Sequence, residues 1–327
     1  VKSFSAAILG LGQIGQGYDY EATDDRLILT HANAYHYHAG FELVAAIDPD
    51  PEQRERFIRK FGLPAYKDLE SLISRHRPEV FSICVPTFHH FQVFQEIIPL
   101  RPAAILCEKP IAPRLSDAQE MVRLAEAHEV ALLVNYIRRF EPGGLALKEA
   151  IQRGEYGDIY KGVAWYGKGI LHSASHYIDF LRFLLGEITG LNVVEKGREG
   201  QGHDPEPDVC LSFGDARIYF LAAREECFST SSIELMGTIG HIYYRDGGER
   251  IEVRSLQPDP TYPGYTILSP EPHRIPNDMN RYQWHVLEHL YRHLSGETPL
   301  NGDGKSATET LEVIETIINT RRMGKKS

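Results

Sequence analysis

The sequence predicts a doubly wound α/β domain at its N-terminal end, followed by an α+β domain whose sheet is open and mostly antiparallel. Three observations predict it. Short apolar runs alternate with helical patterns from Ala6 as far as Val134, the order that builds a parallel sheet covered on both faces. After Asn135 the pattern changes to period-two runs separated by hairpin-like breaks, Gly214-Asp215 and Asp246-Gly247-Gly248, as antiparallel strands require. The 327 residues exceed one typical core, and a division into residues 1–136 and 137–327 accounts for them.

Ala6 to Leu9 reads as a buried first strand, and Gly10, Gly12 and Gly15 follow it in GxGxxG spacing. Gly10 permits the tight turn, Gly12 lets backbone approach a pyrophosphate, and Gly15 allows close helix-to-sheet packing. A helix opening at Ile14 points its N–H groups and positive dipole end at the phosphates. Three glycines in six residues also make an ordinary loop. Tyr18 to Leu29 is polar and irregular, so the first helix is interrupted and resumes near Thr30. The second strand, Phe41 to Ile47, ends in Asp48, where a carboxylate can accept the adenine ribose hydroxyls of a dinucleotide. It would repel a 2′-phosphate and no Arg follows directly, so NAD is favoured over NADP. A plain strand-end turn, Asp48-Pro49-Asp50, is the alternative.

Pro51 to Phe61 reads as a helix with Pro in its first turn and Gly62 past its end. Strand Glu79 to Val85 is stopped by Pro86 and followed by Thr87, His89 and His90, at the edge where open parallel sheets bind ligands. A helix from His90 to Pro99 leads to strand Ala103 to Cys107, which runs into Glu108-Lys109-Pro110. Ser116 and Gln119 form a capping-box pattern for the next helix, before strand Val130 to Val134. The charged stretch from Asn135 to Gly144 marks the crossing between domains. Beyond a helix at Leu145 to Arg153, strands are expected at Tyr160 to Tyr166, Val209 to Phe213, Ala216 to Ala222, Ser232 to Met236 and Ile251 to Val253. Pro258 to Pro276 reads as a long surface loop or arm, and helices at Asp278 to Leu294 and Ala307 to Arg321 finish the chain.

The formal charge of −10 argues against nucleic acid or an anionic membrane as the main partner. Cys84, Cys107, Cys210 and Cys227 lie far apart with no CxxC pair, so neither a zinc site nor a disulfide framework is expected. No stretch reaches the ~18 apolar residues of a membrane span, and cytoplasmic residence is the default expectation.

Three clusters could do chemistry. Lys109 leaves a buried strand at the ligand-binding edge, with Pro110 restricting its backbone; a lysine fixed there can donate to a substrate oxygen. A surface turn lysine is the competing reading. Leu171, Ala174, Ile178, Leu181 and Leu185 form the core stripe of a helix, and His172, His176 and Asp179 lie one residue along, at the border of the buried face. A histidine there can take a hydroxyl proton near neutral pH while hydride leaves a carbinol carbon. No metal is expected, since the glutamate of HExxH is missing. Arg138 and Arg139, with Asn135 before them, could orient a polyhydroxyl or anionic substrate or simply pair with acidic neighbours. Tyr166, Lys168 and Tyr282 are further substrate candidates. His31, His36 and His38 read as structural or near-cofactor residues.

This combination resembles the glucose-fructose oxidoreductase / inositol dehydrogenase family, Gfo/Idh/MocA. The resemblance rests on GLGQIG at Gly10 to Gly15, Asp48, VPTFHH at Val85 to His90, CEKP at Cys107 to Pro110, RRFEP at Arg138 to Pro142 and HYID at His176 to Asp179. It implies an N-terminal Rossmann NAD-binding domain and a C-terminal domain for substrate binding and oligomerisation, whose open sheet makes homodimers or homotetramers. It also implies NAD(P)-dependent oxidation or reduction of a sugar, cyclitol or nucleotide sugar. Lys109 contacts the reacting oxygen, His176 is the acid/base, and the Lys109-Pro110 bond is cis. Cofactor contacts are expected at Gly10, Gly12, Gln13, Ile14, Gly15, Asp48, Pro86, Thr87, His90, Glu108 and Lys109, and substrate contacts at His172, Arg139, Asp179, Tyr166 and Lys168. One departure stands out: where members carry Asp or Asn four residues before the histidine, in DxGxH, this chain has His172 and Ala174. The same fold also serves NAD(P)-responsive regulatory proteins, and NADP-linked sugar reduction is a further alternative.

Overall fold

A computed structural model describes residues 2–200 and 204–323. The chain forms two compact units, Val1–Phe140 with Asn280–Leu311 and Glu141–Met279 with Glu312–Ser327. The expected boundary at 136/137 therefore gives way to a crossing at Phe140/Glu141 and a return of the chain to the first unit.

The first unit contains β1 (Phe4–Leu9), α1 (His31–Tyr37), β2 (Phe41–Ile47), α2 (Pro51–Phe61), β3 (Ala65–Tyr66), α3 (Leu69–Ile73), β4 (Val80–Ile83), α4 (His90–Ile97), β5 (Ala104–Cys107), α5 (Leu115–Ala127) and β6 (Ala131–Val134). The six strands are parallel in the order β3-β2-β1-β4-β5-β6. The order reverses between β1 and β4, so the crevice beyond their C-terminal ends is the natural ligand position. Both strands are buried along almost their whole length, which explains their continuous apolar runs.

Local signals were honoured unevenly. Asp50 caps α2 by accepting the Glu52 N–H at 2.9 Å, Pro51 occupies the first turn, and Gly62 closes the helix at φ 67°. The capping box at Ser116 and Gln119 does not form. Helix α5 begins at Leu115 with no side-chain cap, and its first turn carries an Arg114–Asp117 ion pair at 2.9 Å instead. The first helix is indeed interrupted. A five-residue π-helical turn, Gln13–Gly17, follows the glycine loop, and α1 starts after Thr30, whose hydroxyl accepts the Asn33 N–H. Asp19 pins the intervening loop by accepting the N–H groups of Leu29 and Thr30 and the Thr30 hydroxyl.

The second unit holds α6 (Pro142–Gln152), β7 (Ile159–Tyr166), α7 (Ser175–Leu185), β8 (Gly190–Glu199), β9 (Pro205–Phe213), β10 (Ala216–Ala222), β11 (Ser232–Gly237), β12 (Gly240–Arg245), β13 (Arg250–Pro258), β14 (Thr266–Leu268) and β15 (His273–Ile275). Its strands run in the order β14-β13-β12-β11-β7-β10-β9-β8, with β15 beside β13, and only the β7–β10 pair is parallel. One face, including Ala164, Ile218, Phe220, Leu235 and Ile242, packs into a core with Leu147, Ile178, Leu181 and Ile317 from the helices. Trp165, Tyr219 and Met236, one residue out of step with these along their strands, stand on the other face and are exposed.

Strands β8, β12, β14 and β15 were not anticipated. β8 is a polar strand at the sheet edge with most of its residues outside the core, so its sequence carries no clean alternation. The proline-rich arm at 258–276 folds back as β14 and β15 onto β13.

Two helices complete the chain, α8 (Tyr282–Leu294) and α9 (Gly304–Met323). α8 belongs to the first unit. Its Val286, Leu287 and Leu290 are fully buried in one core with Phe4, Tyr35 and Phe41, the face that its amphipathic spacing presents.

Candidate functional site

In the first unit the glycine loop bridges the two strands at the point where the order reverses. Gly10 has φ 99°, donates to the Ile47 carbonyl at 2.8 Å, and leaves no room for a Cβ, which would lie 2.7 Å from the Cys84 backbone. Gly15 is equally tight, but against the carbonyl of Gly10, so its close approach is within the loop itself. Gly12 is the opposite case: a Cβ there would meet nothing within 4 Å. The loop thus presents bare backbone to open space, with the first-turn N–H groups that no helical carbonyl can accept. The π-helical turn is only five residues long, so these N–H groups, and not a helix macrodipole, are what the loop offers an anion.

Asp48 is buried at the tip of β2 and braced at both oxygens. Oδ2 accepts the Leu11 N–H at 2.7 Å and Oδ1 accepts the Asp50 N–H at 2.8 Å. Each oxygen keeps acceptor capacity for a hydroxyl. The cradle, the exposed Gly12 and the fixed carboxylate fit the pyrophosphate and ribose of a dinucleotide. One neighbour escaped the sequence reading: Arg54, six residues on, donates to the carbonyls of Asp48 and Pro49 at 2.8 Å.

Pro86 and Thr87 continue the edge beyond β4, Pro86 exposed and Thr87 half-buried. His90 does not join them. Its ring is buried, with Nε2 2.9 Å from the Val85 carbonyl and Nδ1 3.0 Å from that of Pro110. Burial lowers its pKa, so the ring is neutral and its single N–H is accepted by one of these carbonyls, according to the tautomer; Nδ1 also lies 3.5 Å from the Cys107 thiol. The ring expected at the cofactor is therefore buried between the ends of β4 and β5. Glu108 is corrected likewise: its carboxylate turns inward to His31 at 2.9 Å and to Asn135 at 2.5 Å. Burial alone would raise the Glu108 carboxyl, yet the hydrogen bonds from His31 and Asn135 and the Lys109 charge hold it below its usual range. Lys109 follows, half-buried, and its bond to Pro110 is cis. Tyr282 stands on α8 in this same unit; burial, then the charges of Glu108 and Asp19, raise its hydroxyl pKa. Arg139 is also in this unit and buried, its stem bordering Gly302.

In the second unit a further π-helical turn, Ile170–Ala174, runs directly into α7. Single π turns within helices recur at functional positions. His172 on that turn is exposed, His176 on the first turn of α7 is half-buried, and Asp179 is buried, so the three do not share one border as expected. Tyr166 is withdrawn as a substrate candidate: it is fully buried and its hydroxyl donates to the Pro207 carbonyl. Lys168 pairs with Glu225 at 3.0 Å. A carboxylate that no motif indicated is Asp204, which accepts the N–H groups of Leu171 at 3.0 Å and His172 at 2.8 Å. Burial raises its pKa against those bonds. Asp204 lies 32 residues from His172, beyond α7 and β8, a separation that sequence spacing does not reveal.

Among the described residues, no group of three or more His, Cys, Asp or Glu side chains is placed to hold a metal ion, and no helix is long and apolar enough to cross a membrane.

Residues 4–136 match the family of oxidoreductases with an NAD-binding Rossmann fold. The chain is 25% identical over 209 residues to a D-apiose dehydrogenase of Paraburkholderia graminis, covering 58% of this chain and 52% of that protein. It is 26% identical to the rhizopine catabolism protein MocA of Rhizobium meliloti, covering 78% and 83%. The chain spans about half the length of the first curated relatives it matches. Among solved structures it is similar to the WlbA dehydrogenase of Bordetella pertussis in complex with NADH and UDP-GlcNAcA, with TM-score 0.78, 18% identity and coverage of 99% and 96%, a likeness of fold. This match takes in the glycine loop and the parallel sheet, and over residues 4–136 the chain is similar to the Gfo/Idh/MocA oxidoreductases.

Proposed function

We propose that the protein is an NAD-dependent oxidoreductase that interconverts a carbinol and a carbonyl on a sugar, cyclitol or nucleotide sugar. One observation carries the reading: at the strand-order reversal, Gly12 opens bare backbone to space while Asp48 is braced beside it, and the adjoining β5 delivers Lys109 to the same sheet edge. The nicotinamide, when bound, supplies a two-electron hydride acceptor or donor. The residues of this chain do the rest. The Lys109 ammonium donates to the reacting oxygen and favours it as negative charge develops. His176 takes the hydroxyl proton in oxidation and returns it in reduction. Gln13, Ile14, Pro86 and Thr87 line the cofactor's path, and the exposed His172 selects among substrates in place of the family carboxylate. Lys168 reaches a substrate only by exchanging Glu225 for it.

The relatives support the substrate class, since those of similar sequence include dehydrogenases named for D-apiose and inositol. A homo-oligomer through the outer sheet face is part of the proposal, because Trp165, Tyr219 and Met236 leave apolar area exposed there. Arg54 beside Asp48 favours a second reading in which NADP is also accepted. The deciding experiment follows reduced-nicotinamide absorbance over a panel of sugars, cyclitols and nucleotide sugars, with either cofactor. Turnover that falls ~10²-fold or more in both Lys109→Ala and His176→Ala supports the assignment; near-normal turnover in either removes that residue's role, and no turnover with NADH bound points to a regulatory protein.

A further inference from the structure

The π-helical turn that carries His172 follows two residues in the left-handed region, Lys168 at φ 57° and Gly169 at φ 90°. Its first N–H groups have no carbonyl within the turn to receive them, and no side chain of its own caps it. Two carboxylates from further along the second unit receive them instead. Oδ1 of Asp204 accepts the Leu171 N–H at 3.0 Å, and Oδ2 accepts the His172 N–H at 2.8 Å. Oε1 of Glu206, on β9, accepts the Gly169 N–H at 3.3 Å. The fit is close, since a Cβ on Gly169 would lie 2.1 Å from the Asp204 carboxylate.

Both carboxylates are themselves held. The Asp204 carbonyl accepts the Gly200 N–H at 2.9 Å, which ties its backbone to the end of β8. Oε2 of the buried Glu206 accepts from Nε of Arg198 on β8 at 2.6 Å, and the Arg198 guanidinium forks onto Glu226. The neighbouring Glu225 holds Lys168 at 3.0 Å. The turn is therefore set from outside, by groups on β8, β9 and the segment after β10.

The pairing demands an anion at Asp204. Two N–H donors address two different oxygens, and an ionised carboxylate presents acceptors at both. A carboxamide of the same shape answers one N–H and turns its NH2 against the other. Burial pushes the Asp204 carboxyl up, the N–H groups of Leu171, His172 and Ile170 pull it down, and the Glu206 charge pushes it up again, so that it ends above its ordinary value. The other titratable or charged groups around it are His172 on the turn, Arg198 on β8 and Tyr166 on β7. Burial first, then the charges of Asp208, Glu206 and Asp204, raise the Tyr166 hydroxyl.

We propose that Asp204 is a positioning residue for the substrate: as an anion it clamps the turn that presents His172, and so sets the affinity for substrate and not for the cofactor. This rests on the oxidoreductase reading above, with His172 meeting the substrate. It carries a consequence for pH, because a proton on Asp204 removes one of the two acceptors and loosens the turn.

The test compares Asp204→Asn with the parent, both full-length and saturated with NADH. Amide hydrogen exchange, read by mass spectrometry on overlapping peptides without substrate, quickens at least about tenfold over residues 170–172, while the rest of α7 and strands β9 and β10 keep the parent's rates. On the first member of the sugar, cyclitol and nucleotide-sugar panel that the parent turns over, KM rises at least about tenfold, with kcat and NADH affinity within about threefold of the parent. Unchanged exchange over residues 170–172, an equal loss of protection across the second unit, or a KM within about threefold of the parent overturns the proposal. If Asp204→Asn does not fold, the parent decides. As pH falls, its exchange over residues 170–172, corrected for the intrinsic rate, quickens with the same midpoint as the Asp204 carboxyl carbon signal in NMR; protection that ignores that titration overturns the proposal. Failure of the parent to bind NADH or to turn over any member of the panel would refute the oxidoreductase reading instead, and the exchange measurement still decides whether Asp204 clamps the turn.

Discussion

The Nδ1 of His90 lies 3.0 Å from the carbonyl oxygen of Pro110, while Nε2 of the same ring reaches the Val85 carbonyl at 2.9 Å. The neutral imidazole therefore fills the space between the backbone after β4 and the backbone after β5, its single N–H serving one of the two carbonyls. His90→Phe removes the ring's N–H and leaves the carbonyl that accepted it, Val85 or Pro110, unanswered in a buried place. At about 1–3 kcal/mol for a buried polar group left unpaired, urea unfolding should show a loss of roughly 2 kcal/mol. Turnover should fall further than NADH affinity does. A variant as stable and as active as the parent would show that this hydrogen bond holds nothing of consequence.

Asp48 is braced by Leu11 and Asp50, so its replacement acts on the loop and on the ribose together. Asp48→Ser should weaken NADH binding by ~10–100-fold, the range for losing hydrogen bonds to a charged acceptor. NADPH should lose far less, because the repelling carboxylate is gone while Arg54 remains. Paired fluorescence titrations with the two cofactors measure the ratio; an unaltered preference would place the specificity elsewhere.

His289 gives the protein an acid limit. Its Nε2 accepts the Asn301 N–H at 3.0 Å, a bond that exists only when that nitrogen is unprotonated, and burial lowers its pKa to about 4. The folded pKa is depressed below the unfolded value of ~6.5, so the unfolded chain binds the extra proton as pH falls. Stability is complete above about pH 6.5 and declines toward pH 4, by on the order of 2 kcal/mol after allowing for partial exposure. His38 and His90, also lowered by burial, act in the same direction. Thermal unfolding across that range should show a shallower decline in His289→Gln than in the parent.

Trp165 and Tyr219 lie on the outer sheet face, on the paired strands β7 and β10. If that face joins copies of the chain, Trp165→Glu should convert the oligomer to monomer in sedimentation equilibrium without lowering the melting temperature of the second unit's core. A parent protein that sediments as monomer would leave the exposed aromatics without that purpose.

The parts of the molecule written in local pattern were legible in advance. GxGxxG, the apolar strands and the Pro51–Gly62 helix state their geometry through backbone requirements that act over a few residues. Lys109 and His176 stood out for the same reason, one at a strand end and one on an amphipathic helix. What stayed hidden depends on long-range contact. Glu108 looked like a cofactor group because its neighbours His31, Asn135 and Gln283 come from distant positions, and Asp204 meets Leu171 across 33 residues of sequence. Tyr166 was misread because a strand residue's direction follows from register, and its hydroxyl had already found Pro207. β8 failed to announce itself since an edge strand with little buried area needs no apolar alternation.

The return of α8 to the first unit bears on the order in which the protein can be made. Val286, Leu287 and Leu290 complete the core around Phe4, Tyr35 and Phe41, and Gln283 completes the setting of Glu108. A chain released as far as Phe140 has its glycine loop and all six parallel strands, yet it lacks one wall of that core. During synthesis the dinucleotide unit must wait, with apolar surface uncovered, while the whole intervening domain is translated. The half that holds the first motif in the sequence is among the last parts of the molecule to close.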